Sequence, residues 1–298
     1  MKKKTLKIET VHQCNCCLGN KTLHPLVSVI DLSKANRIDF SIKFNFYSIL
    51  LIENECDEFM YGRKSHDYSN ATLVFLLPGQ SLQMDEDKFL PRKGWLLAFH
   101  PLLICGSTLG IHIDHYTFFS YRTDEALHLS SREKTKALEC LHNIEQELQH
   151  TTDRHSKKLI SKYIELLSDY CSRFYERQFI TRHEIHKPIL EKLEIWLDEC
   201  IQSGKLKGET LPSVESCSAI LNISPHYFND LLRFETGKTI DEYFQSKQIE
   251  AAKKMLLDET YPINRIAKAL GFPNIHYFSE LFLKITGMTP AEYRLSRN

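Results

Sequence analysis

His226-Tyr227-Phe228, Leu231, Thr236-Gly237, Thr239 and Glu242-Tyr243 return fifty residues later as His276-Tyr277-Phe278, Leu281, Thr286-Gly287, Thr289 and Glu292-Tyr293. Nine residues coincide without a gap. Internal repetition fixes an architecture before any single element does. The repeating unit here is one small helical module in two copies, not a solenoid.

Each copy spells helix, tight turn, helix. In the first, Ser213 is placed to cap a short helix, Val214 to Leu221, with Val214, Cys217 and Ile220 apolar. Asn222-Ile223 makes the turn. Ser224 caps the next helix and Pro225 takes its first position, where the missing N–H costs nothing. That helix runs over 225–235 and stops near Gly237, which tolerates the left-handed cap. Thr239 and Glu242 form a capping box for the helix that follows. The second copy repeats the plan: Ile263 to Leu270, a turn at Gly271-Phe272-Pro273-Asn274, a helix over 275–285, then Thr289, Pro290 and Glu292.

At 100° per residue the second helix of each copy divides into two faces. Phe228, Leu231 and Leu232 point inward, and His226, Asn229, Asp230 and Arg233 outward. In copy two Phe278, Leu281 and Phe282 point inward, while Ile275, His276, Ser279 and Glu280 point outward. A helix that is apolar behind and hydrogen-bonding in front fits the major groove of DNA.

On these residues, positions 186–298 resemble the DNA-binding domain of the AraC family of bacterial transcription regulators. The resemblance includes Gln248-Ile249-Glu250-Ala251-Ala252-Lys253 in a joining helix, Ile240 to Leu257, and the closing Gly287-Met288-Thr289-Pro290-Ala291-Glu292-Tyr293-Arg294. It implies base-reading roles for His226, Asn229 and Asp230 in copy one. In copy two it implies them for Ile275, His276 and Ser279, with Glu280 matching a further position. Asp230 and Glu280 stand where relatives often carry a basic residue, and Gln248 where many carry Arg. The resemblance also implies a cupin-like N-terminal barrel, a homodimer, RNA polymerase as a partner and a possible small-molecule effector.

The chain has 298 residues, room for two domains, and its 42% hydrophobic and 26% charged content is that of a globular protein. No segment approaches the ~18 uninterrupted apolar residues of a membrane span. Met1-Lys2-Lys3-Lys4 starts like a signal peptide, but no apolar run or cleavage site follows, so a cytoplasmic location is expected. Lys plus Arg equal Asp plus Glu at 38 each, and from Leu211 onward there are ten of each sign. DNA binding must then rest on how charge is distributed. Arg233, Lys238, Arg265, Lys268, Lys284, Arg294 and Arg297 are expected on the phosphate side, with Asp241, Glu250, Asp258 and Glu259 facing away.

Nine cysteines are mostly scattered singly, as in a reducing compartment. Cys14, Cys16 and Cys17, flanked by His12 and His24, form the one compact cluster. Zinc sites usually draw on two such pairs, and no second pair follows downstream. A reduced cluster without a metal is the expectation, and no cofactor is expected.

From about 26 to 121 the pattern changes to short apolar runs: Leu26–Ile30, Phe44–Ile52, Phe59–Tyr61, Thr72–Leu77 before Pro78-Gly79, Trp95–His100 and Tyr116–Phe119. Such runs between turn signals suggest a small barrel or jelly roll. Metal-dependent cupins use a His-x-His in a strand followed by Glu. Here His66, His100, His112 and His115 give no such set, and on a strand His112 and His115 would face opposite ways. A metal enzyme, or a metal or redox sensor built on the cysteine cluster, is the rival reading; the chain is read as a non-enzyme. Tyr47, Tyr61, Phe75, Trp95 and His100 are candidates for an effector pocket or, equally, plain core.

Helices follow over about 131–178. Ser130 and Glu133 form a capping box, and Leu138, Leu141, Ile144 and Leu148 share one side. A second helix from Asp153 carries Leu159, Ile160, Tyr163, Ile164, Leu167, Tyr170, Cys171 and Phe174, a stripe wide enough to meet a second copy. The expected fold is α+β: a cupin-like sensory and dimerisation domain over 1–180, a linker over 181–187, and an all-α DNA-binding domain over 188–298. Pro188 is expected to open the first helix of the latter.

Overall fold

A computed structural model of the chain describes residues 5–36, 41–53, 67–82, 93–151, 153–203 and 211–297. The chain divides into two compact units, residues 1–182 and 183–298. No helix among the described residues is long and apolar enough to cross a membrane.

The first unit contains, in order, β1 (Leu6–Ile8), α1 (Val11–Leu18), β2 (Val27–Asp31), β3 (Ile42–Phe44), β4 (Tyr47–Glu53), β5 (Ala71–Leu76), β6 (Ser81–Leu82) and β7 (Gly94–Phe99). Then come α2 (Pro101–Ile104), α3 (Thr108–His112), three short 3-10 turns, β8 (Leu127–Leu129), α4 (Ser131–Gln149) and α5 (Ser156–Thr181). An antiparallel sheet has the order β2-β7-β4-β5-β8, and a smaller one the order β1-β3-β6. Neither closes into a barrel among the described residues.

The central strands are apolar at nearly every position because both faces of their sheet are covered. Leu50, Ile52, Val74, Leu76, Leu96 and Ala98 pack with Ile42, Phe44, Leu82, Val11, Cys14 and Leu18, from the smaller sheet and α1. On the other face Phe75 meets Phe118 at 4.5 Å, and Tyr47 stacks on Phe99 at 5.1 Å.

Several expected elements come out differently. The run Phe44–Ile52 is two strands in two sheets, broken at Asn45-Phe46; the Asn45 N–H bonds the Ile8 carbonyl at 2.9 Å and Phe46 is buried. The corner is hidden because both halves are apolar. Tyr116–Phe119 is not a strand: Thr117–Ser120 is a 3-10 turn that buries Phe118 and Phe119 together. A strand would send those neighbours to opposite faces. His112 and His115 follow the same logic, for they sit on helical turns with their rings stacked at 5.4 Å. Strand β8, only three residues long, gave no periodic signal. Phe59–Tyr61 and His66 lie outside the described residues.

Ser130 and Glu133 do form the capping box of α4, with the Ser130 N–H donating to Glu133 Oε2 at 2.8 Å. Helix α5 also satisfies the free edge of β8. Gln178 accepts from the His128 N–H at 2.8 Å and donates to the Ala126 carbonyl at 3.0 Å, and Arg177 donates to the His128 carbonyl at 2.7 Å. Covering an exposed edge in this way removes a template for unwanted pairing.

The second unit is helical: α6 (His183–Gln202), α7 (Val214–Leu221), α8 (Pro225–Thr236), α9 (Ile240–Leu256), α10 (Ile263–Ala269), α11 (Ile275–Thr286) and α12 (Pro290–Arg297). The residues expected to form a linker are mostly helical, with α5 reaching Thr181 and α6 starting at His183. Pro188 lies inside α6 instead of opening it. Its preference for a first position misplaced the start by five residues, because charged and His-rich residues extend a helix as readily as they fill a loop. Phe228, Leu232, Phe244, Ile249, Ile266, Phe278 and Phe282 share one core with Leu193 and Leu197 of α6.

Candidate nucleic-acid interface

Both repeated modules form with the capping chemistry their sequences contain. Asn222 takes the left-handed conformation at φ 55°, and Ser224 Oγ accepts from the Tyr227 N–H at 3.2 Å to start α8. An Asn tolerates that conformation better than other residues with a Cβ. In copy two Gly271 supplies the left-handed turn at φ +81°, and Asn274 Oδ1 accepts from the Tyr277 N–H at 2.8 Å to start α11. Gly237 and Gly287 close the two helices, with φ +69° and +77°.

These caps set the rotation of α8 and α11. On α8 Phe228, Leu231 and Leu232 are buried, while His226 and Arg233 are exposed and Asn229 and Asp230 half-buried. On α11 Phe278 and Phe282 are buried; Ile275, His276 and Glu280 are exposed and Ser279 is half-buried. The structure thus puts each expected base-facing set on one accessible ridge. His276 Nε2 lies 3.2 Å from Glu280 Oε1, one helical turn apart. That pairing was legible in the i, i+4 spacing but not singled out.

The copies are not identical behind the ridge. Tyr227 is buried with its hydroxyl 2.9 Å from His186 Nε2 of α6. Its counterpart Tyr277 is 41% exposed and accepts from Gln245 Nε2 of α9 at 3.3 Å. Helix α9 joins the copies through Gln248, which is buried and donates to the Leu270 carbonyl at the end of α10 at 2.7 Å. The sequence marked Gln248 as a departure from relatives but gave no role; the bond supplies one.

Among the expected phosphate-side cations, Arg233, Arg265, Lys268 and Lys284 are exposed. The Glu242 carboxyl is held below the usual carboxylate range by the Thr239 N–H and hydroxyl, and further by the charges of Arg233 and Lys284. Cations from the two copies therefore both act at the start of α9. Lys238 donates to Ser246 Oγ at 2.8 Å. Arg294 is a correction: its guanidinium donates to the Leu256 and Tyr261 carbonyls at 3.1 and 2.7 Å, tying down the end of α9. The Arg297 side chain lies outside the described residues.

The remaining candidates belong to the first unit. Phe75 is buried against Phe118, Phe119 and Tyr175, and Tyr47 is half-buried between Phe99 and Phe119. Trp95 is half-buried on β7, and His100 caps α2 by accepting from the Leu102 N–H at 3.2 Å. Tyr61 lies outside the described residues. In α1, Cys14 is buried, and burial with the nearby Cys17 pushes its thiol up to about 12. Cys16 is exposed with Sγ 3.5 Å from His12 Nε2, and Cys17 is half-buried. No three His, Cys, Asp or Glu side chains among the described residues converge on a metal position.

A helix-turn-helix domain family matches residues 217–296. The chain is 36% identical over 113 residues to the bifunctional transcriptional activator/DNA repair enzyme AdaA of Bacillus subtilis, covering 36% of this chain and 52% of that protein. It is 32% identical over 82 residues to the HTH-type transcriptional regulator YobQ of the same organism, covering 28% of this chain and 34% of that protein. The chain thus spans about a half and about a third of these relatives. The solved C-terminal domain of AraT, a response regulator from Geobacillus stearothermophilus, aligns at 29% identity with a TM-score of 0.31, covering 37% of this chain and 85% of that one. Residues 217–296, which run from within α7 of the first module to the end of the second, are an AraC-type helix-turn-helix domain.

Proposed function

We propose that this chain is a sequence-specific, DNA-binding transcription regulator of the AraC type. Helices α8 and α11 lie in successive major grooves on one face of a duplex, ~34 Å or ~10 bp apart. The observation that carries the proposal is the pair of accessible polar ridges, each backed by buried Phe and fixed by its own cap. Helix α9, bonded through Gln248 to copy two, is the spacer. Asn229 pairs bidentately with adenine, and Asp230 accepts from cytosine N4. Arg233 and Lys284 hold phosphates, with Lys238 and Arg265 flanking them.

The first unit, in this proposal, senses and dimerises. The split of the chain near residue 182 supports a division of labour between a cupin-like regulatory domain and a DNA-binding one. On α5 Leu159 and Leu166 are more than 40% exposed, and Tyr163 and Tyr170 on the same face are half-buried. That apolar face supports a homodimer. Control by a small molecule, contact with RNA polymerase and a cytoplasmic location follow from the family resemblance.

The test is a gel shift on a site selected from random duplexes. Asn229→Ala is expected to cost ~1–3 kcal/mol at its cognate base and to relax preference there. Equal affinities of the two proteins for matched and mismatched sites would remove α8 from the groove.

A further inference from the structure

Helix α1 carries His12 and Cys16 one turn apart on its exposed side, while Val11, Cys14 and Leu18 face the core. His12 Nε2 lies 3.5 Å from Cys16 Sγ, which puts a base within reach of a nucleophile. The far side of the imidazole is held as well. His12 Nδ1 lies 2.9 Å from Thr22 Oγ1, and Thr22 Oγ1 accepts from Asn15 Nδ2 at 3.2 Å. Asn15 is fully buried, and its Oδ1 accepts from Ser28 Oγ at 2.7 Å and from Asn20 Nδ2 at 3.3 Å. With that oxygen engaged, the Asn15 amide turns its amino group to Thr22. The second lone pair of the Thr22 hydroxyl can then accept the Nδ1–H of His12, and in that tautomer Nε2 is bare toward the sulfur. A thiol, a base at hydrogen-bond reach and a third group orienting the base are the parts of an activated nucleophile. None of these residues belongs to the DNA-binding unit.

We infer that Cys16 is a modification site for soft electrophiles of the α,β-unsaturated carbonyl class, with His12 as its base and Thr22 and Asn15 as positioning residues. His12 Nε2 takes the thiol proton as Sγ bonds the β-carbon. The π pair of the carbon–carbon double bond moves to the α-carbon and its carbonyl, and the proton passes from Nε2 to the α-carbon. An S–H and a π bond are exchanged for an S–C and a C–H bond, with no leaving group and no oxidant. Oxidation suits the cluster less well, because a sulfenic acid at Cys16 needs a second thiol to close a disulfide. Cys17 is its chain neighbour, turned 100° around α1, and Cys14 is buried on the core side. An adduct on the exposed side leaves the packing beneath α1 in place.

The test uses the full chain with 2-cyclopentenone, and N-ethylmaleimide as a faster probe of the same addition, read by peptide mass mapping over time. Cys105, exposed at the end of α2, is the reference thiol in the same molecule. At pH 7 Cys16 should add either probe about 3- to 10-fold faster in the parent than in His12→Gln, because an ordinary thiol is only a few per cent ionised there and base assistance recovers part of that loss. The Cys105 rate should be the same in both proteins. Thr22→Val should slow Cys16, and Thr22→Ser should restore it. From pH 8 to pH 6 the Cys16 rate should fall less steeply than the ~10-fold per unit of an unassisted thiol, and His12→Gln should return it to that slope. A merely structural role for His12 would leave the slope alone. His12 is exposed, and an unchanged Cys105 rate and far-UV circular dichroism spectrum check the fold. Equal Cys16 rates and slopes in the parent and His12→Gln overturn the inference. So does hydrogen peroxide closing a disulfide at Cys16 faster than the same concentration of 2-cyclopentenone adds to it.

Discussion

Gln248→Ala should destabilise the C-terminal unit by ~1–3 kcal/mol, although the residue lies on neither ridge. The Gln248 amide donates to the Leu270 carbonyl at 2.7 Å and the side chain is buried, so its loss strands a buried acceptor. That omission costs ~1–3 kcal/mol. One buried methylene, the Cγ, also goes, at ~0.8 kcal/mol. Against them stands the rotamer entropy that a fixed Gln gives up, ~1.5–2 kcal/mol. The entropy term exceeds the methylene term and offsets part of the cost of the unpaired carbonyl, which puts the net loss toward the low end of that range. Gln248→Leu keeps apolar volume and still strands the carbonyl, so it should also destabilise. The assay is urea unfolding followed through Trp196 of α6. A Trp95→Phe background makes Trp196 the single tryptophan of the chain, so the signal belongs to one unit of a two-unit protein. With a slope of ~1–3 kcal/mol per M, a loss of ~2 kcal/mol moves the midpoint by about 1 M. If both variants unfold within ~0.5 kcal/mol of the parent, the joint between α9 and α10 does not depend on this bond.

Replacing Arg233 or Lys284 by Ala should reduce the slope of log affinity against log salt by about one unit, read from gel shifts at several salt concentrations; an unchanged slope removes that residue from the phosphate set. Glu242→Gln should flatten the acid limb of stability. The Glu242 carboxyl is depressed in the folded chain, so its stabilisation is complete above the ordinary Glu range and drains away as pH falls through the folded value. Between pH 6 and pH 3 the parent should therefore lose more melting temperature than the Gln variant, and equal losses would contradict the capping role. Mild alkylation at pH 8 should label exposed Cys16 well before Cys14, whose thiol is pushed up to about 12. Mass mapping that finds Cys14 labelled first would mean α1 does not bury it.

Much of the C-terminal unit was legible because its determinants are local. Ser213, Ser224, Thr239 and Thr289 each cap a helix three residues ahead, and Gly237 and Gly287 end one. Such signals need no knowledge of tertiary contacts, and a repeat states them twice. The misreadings arose where distant contacts decide. Nothing near Asn45 in sequence announces that Ile8 will bond it, so a run of apolar residues read as one strand. Phe118 and Phe119 look like strand residues until Phe75 stands opposite them. Arg294 looked like one more cation for phosphate because the carbonyls it binds, Leu256 and Tyr261, are more than thirty residues away.

The same distinction explains how a unit with slightly more acids than bases, 16 against 14 over residues 183–298, can offer a surface to DNA. Several of its acids are engaged within the protein. Glu242 and Glu292 cap helices, Glu194 accepts from Tyr243, and Asp258 accepts from Thr260. Glu250 pairs with Lys253 and Glu280 with His276. A carboxylate engaged in this way sits at a fixed place and keeps its charge, but much of its field is answered at short range. Arg233, Arg265, Lys268 and Lys284 stand exposed. A polyanion approaching to within a Debye length of ~8–10 Å responds to that local arrangement and not to the net charge. On the proposed two-groove reading, affinity built on few phosphate contacts is modest and steeply dependent on pairing two modules at once. This makes the spacing held by α9 matter as much as any base contact.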